Sequence, residues 1–337
     1  MSRFPLICLG HPLLDISSPV DLALLQKYNI VSGSACLASE AHMPLYKEMA
    51  ETLQCDYIAG GAALNTSRAA QWLSKTANFS TFFGAIGQDD FGVHLREAAS
   101  EAGVEPHFQI NPEHETGTCA CLIYHKERAL VANLGASKFL RLSYLQENWA
   151  VIENSQVIYS EGYLLTDGAD CVFAAAKHAS DTGKIFALNL SAPYVIEFFK
   201  SNIEQVWPYT EYVFCNEDEC AKYGEVFGIT GDVVEIATQM SLTPTSTQRP
   251  KKIVITRGKD SVVVASEGKV ELVEVPVIAA ELVLDTNGAG DSFVGGFLYE
   301  LIRGSNIGKC VAAGSYLAQE VIQLSGCSFP SENKYAY

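Results

Sequence analysis

Short apolar runs that lack strict alternation recur along the chain at 6–9, 80–86, 184–190, 212–215, 252–256 and 261–265. A strand that is apolar on both sides is covered on both faces, so these runs predict a mostly parallel sheet between two layers. Between them, apolar residues spaced by three and four predict amphipathic helices over 65–73, 91–102, 170–180, 233–240, 290–301 and 307–325. Strands alternating with helices imply the α/β class, as a three-layer α/β/α sandwich. The rhythm breaks at residues 14–40 and 106–138, where strand-like pieces such as 117–124 and 128–133 run without a helix between them. We expect these two stretches to form a small β lid over one end of the main sheet. The lid would have no core of its own and would move on ligand binding, with the rest of the single 1–337 fold as the larger body. Residues 241–252, with two Pro, three Thr and two Ser, read as a loop.

Charge narrows the function. The 337 residues carry 23 Lys plus Arg against 39 Asp plus Glu, a formal charge of −16. Such a surface repels nucleic acid and anionic membranes, so neither is expected as a partner. Any bound phosphate must be held by a local positive site. No apolar run approaches a membrane span, and the start has too short an apolar stretch for a secretory signal. Ten cysteines are scattered with no C-x-x-C pair, although Cys119 and Cys121 form a C-x-C. They read as reduced thiols of a cytoplasmic protein, with zinc or disulfides as the alternative.

The segment Leu284-Asp-Thr-Asn-Gly-Ala-Gly-Asp291-Ser-Phe-Val-Gly-Gly-Phe297 supplies the local site. A loop of small residues entering a helix turns peptide N–H groups inward, and the helix start adds partial positive charge. An anion can bind there without a lysine. Asp291 lies within that hole, where it is either a helix cap or a general base taking a proton from an incoming hydroxyl. The spacing is neither G-x-x-x-x-G-K-[ST] nor G-x-G-x-x-G.

Asp285-Thr-Asn-Gly-Ala-Gly-Asp-Ser-Phe293 resembles the C-terminal signature of the ribokinase-like (pfkB) carbohydrate kinases, and Gly60-Gly61-Ala-Ala-Leu-Asn65 their N-terminal G-G-x-x-x-N element. Six further segments resemble the adenosine-phosphorylating branch of that family: His11-Pro-Leu-Leu-Asp15, Ala70-Gln-Trp-Leu73, Phe82-Phe-Gly-Ala-Ile-Gly87, Thr116-Gly-Thr-Cys-Ala-Cys121, Asn189-Leu-Ser-Ala-Pro193 and Gly326-Cys-Ser-Phe-Pro330. They span nearly the whole chain in order. The chain departs from the usual pattern at His11, where Asn is common, and at Ser292, where Ala is.

The resemblance implies ATP-dependent, in-line phosphorylation of adenosine at its 5′-hydroxyl, giving AMP and ADP in purine salvage. Another nucleoside, or a sugar such as ribose, is the alternative acceptor. A non-catalytic nucleotide-binding regulator on the same fold is the competing reading from another class. The resemblance makes Asp291 the base, with the amides of Gly288, Ala289 and Gly290 as the anion hole and Arg128 as the lid arginine, beside Lys126 and Glu127 at a hairpin tip. Asp15, Gly61, Asn65 and His11 would meet the nucleoside, and Leu14, Leu134, Ala136 and Leu164 its base. Thr256, Gly258 and Asn287, with Gly288 and Gly290, fall on the ATP side. Asn216 and Glu219 match the family's N-x-x-E element for Mg²⁺. A monomer binding adenosine and ATP is expected.

Overall fold

The computed structural model describes residues 4–125 and 127–336; Lys126 of the expected hairpin tip lies outside the described residues. A nine-stranded sheet runs, edge to edge, Lys269–Val273, Asp260–Ser266, Lys252–Arg257, Tyr212–Asn216, Ile185–Asn189, Val157–Glu161, Leu6–Leu9, Ser80–Gly87 and Glu105–Asn111. All neighbours pair parallel except those of Asp260–Ser266, which pair antiparallel. Alternate residues of the central strands enter two separate cores. Leu6 and Cys8 join the core under helices Ala62–Ser74, Asp90–Glu101, Ala289–Ile302 and Ile307–Ile322. Ile7 and Leu9 join the opposite core under Ala169–Asp181, Glu217–Phe227 and Val233–Ser241. The two-sided apolar runs thus produce the three-layer α/β sandwich expected from the sequence. Among the described residues no helix is long and apolar enough to cross a membrane.

A second, five-stranded sheet runs Ala35–Leu37, Glu127–Asn133, Thr118–Tyr124, Leu13–Pro19 and Asp56–Gly60. Its composition differs from the expected 14–40 and 106–138. Glu105–Asn111 instead extends the large sheet, pairing with Ser80–Gly87, and Asp56–Gly60 belongs to the small one. Nor is the small sheet without helices or a core. Helices Leu22–Lys27 and Met43–Thr52 cover one face, where Ile16, Leu25, Leu45, Met49, Ala120, Leu122 and Val131 pack together. The other face looks onto the carboxyl ends of the parallel strands, where open α/β sheets bind their ligands.

Candidate active site

The carboxyl ends of three parallel strands supply Glu161, Asn189 and Asn216, with Thr256 near the end of a fourth. Together with the start of helix Ala289–Ile302 and the exposed face of the small sheet, they enclose three joined cavities. The central one, of about 330 Å³, is lined by Asp15, Asn65, Asn216, Glu219, Asn287, Gly288 and Asp291 among others. Through Gly61, Leu130, Cys119 and Tyr163 it opens into one of about 520 Å³ whose wall includes His11, Leu13, Leu134, Glu161 and Tyr194. Through Thr256 and Gly290 it opens on its other side into one of about 410 Å³, walled by Gly258, Val262, Val277, Val283, Phe293 and Ile322.

Gly288 is the N-cap of the glycine-rich helix at φ +74°, and a Cβ there would lie 2.6 Å from that of Cys327, so only glycine fits. The first intrahelical bond runs from the Ser292 amide to the Gly288 carbonyl at 2.9 Å, so the amides of Gly290 and Asp291 precede the ladder and are available to an anion. The Ala289 amide instead donates to the Thr286 carbonyl at 3.3 Å, and Ala289 lines the neighbouring cavity.

Asp291 is half-buried, and its Oδ2 accepts from Asn65 Nδ2 at 3.0 Å. Desolvation pushes its carboxyl up to about 7, against that hydrogen bond and with help from the charges of Glu161, Asp15 and Glu219. The Asn65 amide is itself oriented. Its Oδ1 accepts from Arg68 Nη1 at 3.3 Å, and the same nitrogen donates to the carbonyls of Ala59 at 2.5 Å and Cys327 at 3.1 Å. Arg68 is buried and carried no signal in the sequence beyond its position after the G-G-x-x-x-N element.

Asp15 is buried against Gly60, whose absent side chain makes the room. Burial raises its carboxyl to about 7 although Arg68 and Arg128 pull the other way. Gly61 has φ +95° and stands so close to the His11 carbonyl that a Cβ would reach within 2.1 Å of it. The His11 ring does not stand alone. Its Nε2 donates to Asp167 Oδ1 at 2.8 Å, and its amide donates to Glu161 Oε1 at 2.6 Å. Burial alone would lower the His11 pKa, but the Asp167 hydrogen bond and the charges of Glu161 and Asp167 outweigh it and hold it above the ordinary value. Glu161 also accepts from the Ala63 amide at 2.6 Å. Glu161 and Asp167 were absent from the sequence reading.

Three of the four positions expected to meet the base fall differently. Leu14 lies in the large core, because neighbours on a strand alternate and Asp15 and Leu13 take the cavity side. Leu164 is likewise core, and Ala136 is buried outside the cavity walls with its amide donating to Glu115. Leu134 does line the cavity of about 520 Å³, and Leu13, Leu130, Tyr163 and Tyr194 join it there. Arg128 reaches from the small sheet to the glycine-rich loop, with Nη1 3.2 Å from Asp285 Oδ2 and Nη2 donating to Ser325 Oγ at 2.5 Å. Asp285 also accepts from the amides of Asn287 at 3.0 Å and Gly326 at 2.7 Å.

Asn216 and Glu219 form a reciprocal cap. Asn216 Oδ1 accepts from the Glu219 amide at 2.8 Å, and Glu219 accepts from the Asn216 amide at 3.0 Å and from its side chain at 2.9 Å. Both still face the central cavity. Burial raises Glu219 to about 7. A carboxylate and an amide side chain together at such a wall offer oxygen donors that fit Mg²⁺, which keeps most of its water.

Residues 26–334 match the pfkB family of carbohydrate kinases. The chain belongs to that family. It is similar to adenosine kinase 1 of Arabidopsis thaliana, 41% identical over 331 residues that cover 97% of this chain and 96% of the relative. Among solved structures it resembles the adenosine kinase of Anopheles gambiae in complex with P1,P4-di(adenosine-5) tetraphosphate, at TM-score 0.90 and 38% identity over 98% of this chain and 100% of that one. The adenosine kinase of Schistosoma mansoni in complex with adenosine and AMP matches at TM-score 0.89 and 32% identity, over 99% and 100% of the two chains.

Proposed function

We propose that this pfkB-family chain transfers the γ-phosphoryl group of ATP to the 5′-hydroxyl of adenosine, releasing AMP and ADP. One observation carries the reading. A polar chamber holding Asp291 and a helix N-terminus stands between two larger chambers with apolar walls, as two nucleosides joined through phosphates require. That the relatives of similar length and fold are adenosine kinases supports it.

Asp15 accepts the ribose hydroxyls, and a carboxylate suits a cis-diol because it can accept twice. The base lies along Leu13, Leu130, Leu134 and Tyr163. Asn65 holds Asp291 for in-line attack, Asp291 takes the 5′-hydroxyl proton, and a group that titrates near neutrality suits that task. The amides of Gly288, Gly290 and Asp291 meet the charge on the transferred group, as does Arg128 when the small sheet closes. Thr256, Gly258 and Asn287 flank ATP. Asn216 and Glu219 would hold Mg²⁺ through its water, and the ion supplies neutralisation of phosphate charge.

A coupled assay over adenosine, inosine, guanosine and ribose tests the reading. Adenosine should have the highest kcat/KM; ribose turned over equally well would refute it.

A further inference from the structure

The small sheet has two unlike faces. Ile16, Ala120, Leu122 and Val131 fill its own core. Asp15, Cys119 and Cys121 stand on the opposite face. The parallel register pairs Asp15 with Cys119 and Ser17 with Cys121, and residues two apart on a strand share a side. A carboxylate oxygen and two sulfurs consequently come within 4.8 Å of one another, all on buried residues. Around a tetrahedral ion bound at about 2.0–2.3 Å, such atoms stand about 3.3–3.8 Å apart, so small side-chain rotations suffice. Asp15 and Cys119 also line the central cavity, which gives an entry path and room for a water as fourth ligand.

We propose that Asp15, Cys119 and Cys121 form an inhibitory site for a soft divalent cation, Zn²⁺ or Cd²⁺. Thiolate sulfur selects such ions over Mg²⁺, which keeps this site chemically separate from the oxygen-lined wall at Asn216 and Glu219. Each thiol binds as thiolate, so the two sulfur–metal bonds form as two protons pass to solvent. Two thiolates and a carboxylate bring three negative charges against the ion's two positive ones, and Arg68 and Arg128, whose charges Asp15 feels, offset the excess. An ion on Asp15 removes the group that accepts the ribose hydroxyls, so metal and nucleoside exclude each other. That exclusion, unlike the metal site itself, rests on the reading of Asp15 under Proposed function.

The test uses the full chain with Cys36 and Cys55, the two cysteines that are not buried, replaced by Ser. Cd²⁺ alone is titrated and the thiolate-to-cadmium charge-transfer band followed in the ultraviolet. One ion per chain should bind. Cys121→Ser, and Cys121→Ala as a second variant, should weaken binding by at least about tenfold, the loss that even an outer-sphere change brings. Both should keep metal-free turnover, which also reports that they fold. Saturating adenosine should abolish the band. An unchanged band in both Cys121 variants, or no band in the parent, overturns the site while leaving the kinase reading intact. A Cys121-dependent band that adenosine does not displace upholds the site and overturns the role given to Asp15.

Discussion

Replacing Asp291 by Asn isolates proton transfer from everything else the residue does. The amide has the carboxylate's shape, and its oxygen can keep the 3.0 Å hydrogen bond from Asn65 Nδ2. It cannot take a proton. General-base catalysis contributes about 10²–10⁴ in rate, so kcat should fall by that factor, a barrier increase of about 3–5 kcal/mol. KM for adenosine should hold, because the ribose contact proposed above is Asp15's. Stability should hold or improve above neutral pH. Desolvation and the neighbouring charges of Glu161, Asp15 and Glu219 all resist ionisation of Asp291, which is why its carboxyl lies near 7, and Asn is neutral. ADP release in a coupled assay, adenosine binding by calorimetry and a thermal melt measure the three quantities. A kcat within about tenfold of the parent, with adenosine bound normally, would remove Asp291 as the base.

Four further outcomes are expected. For adenosine, kcat/KM should rise with pH through about 7 as Asp291 ionises. The folded-state values of Asp15, Asp291 and Glu219 all lie near 7, above their ordinary unfolded values. Their contribution to stability is therefore full below the ordinary carboxylate range and is lost as pH rises through about 7. The urea midpoint of Asp291→Asn should accordingly fall less steeply over that window than the parent's. Leu14→Ala should cost about 2–5 kcal/mol of stability with KM unchanged, whereas Leu13→Ala should raise KM for adenosine with a smaller loss of stability; denaturation and steady-state kinetics separate the two. Arg128→Ala should lower kcat by about 10²–10³, and Asp285→Asn should lower it less; equal turnover in Arg128→Ala and the parent would remove the arginine from phosphoryl transfer.

The layers were legible because a strand buried on both faces has an unmistakable composition, as in Ile253, Val254 and Ile255. The glycine-rich loop was legible because small residues beside an acid have few other uses. Val157–Glu161 was missed: a five-residue strand ending in Ser and Glu resembles a loop entry. Glu105–Asn111 was assigned to the wrong sheet because an edge strand of Glu, His, Gln and Asn looks like part of an exposed excursion. Of the helices on the small sheet, Leu22–Lys27 escaped notice because it has only six residues. Leu14 was placed beside the ligand as an apolar candidate under the resemblance, against the two-residue period of a strand that carries Asp15 to the cavity side. Glu161 was hidden for a deeper reason. Its partners are the main-chain amides of His11 and Ala63, which leave no trace in side-chain identity.

The buried guanidinium behind Asn65 has a corollary for how this sequence can drift. Two of the three oxygens it grips, those of Ala59 and Cys327, belong to peptide carbonyls. At those two positions the grip needs the main chain rather than a particular polar side chain, although both residues are buried. The clasp that ties Cys327 to the segment around Asn65 thus depends on side-chain identity at Arg68 and Asn65, and on the course of the main chain at Ala59 and Cys327.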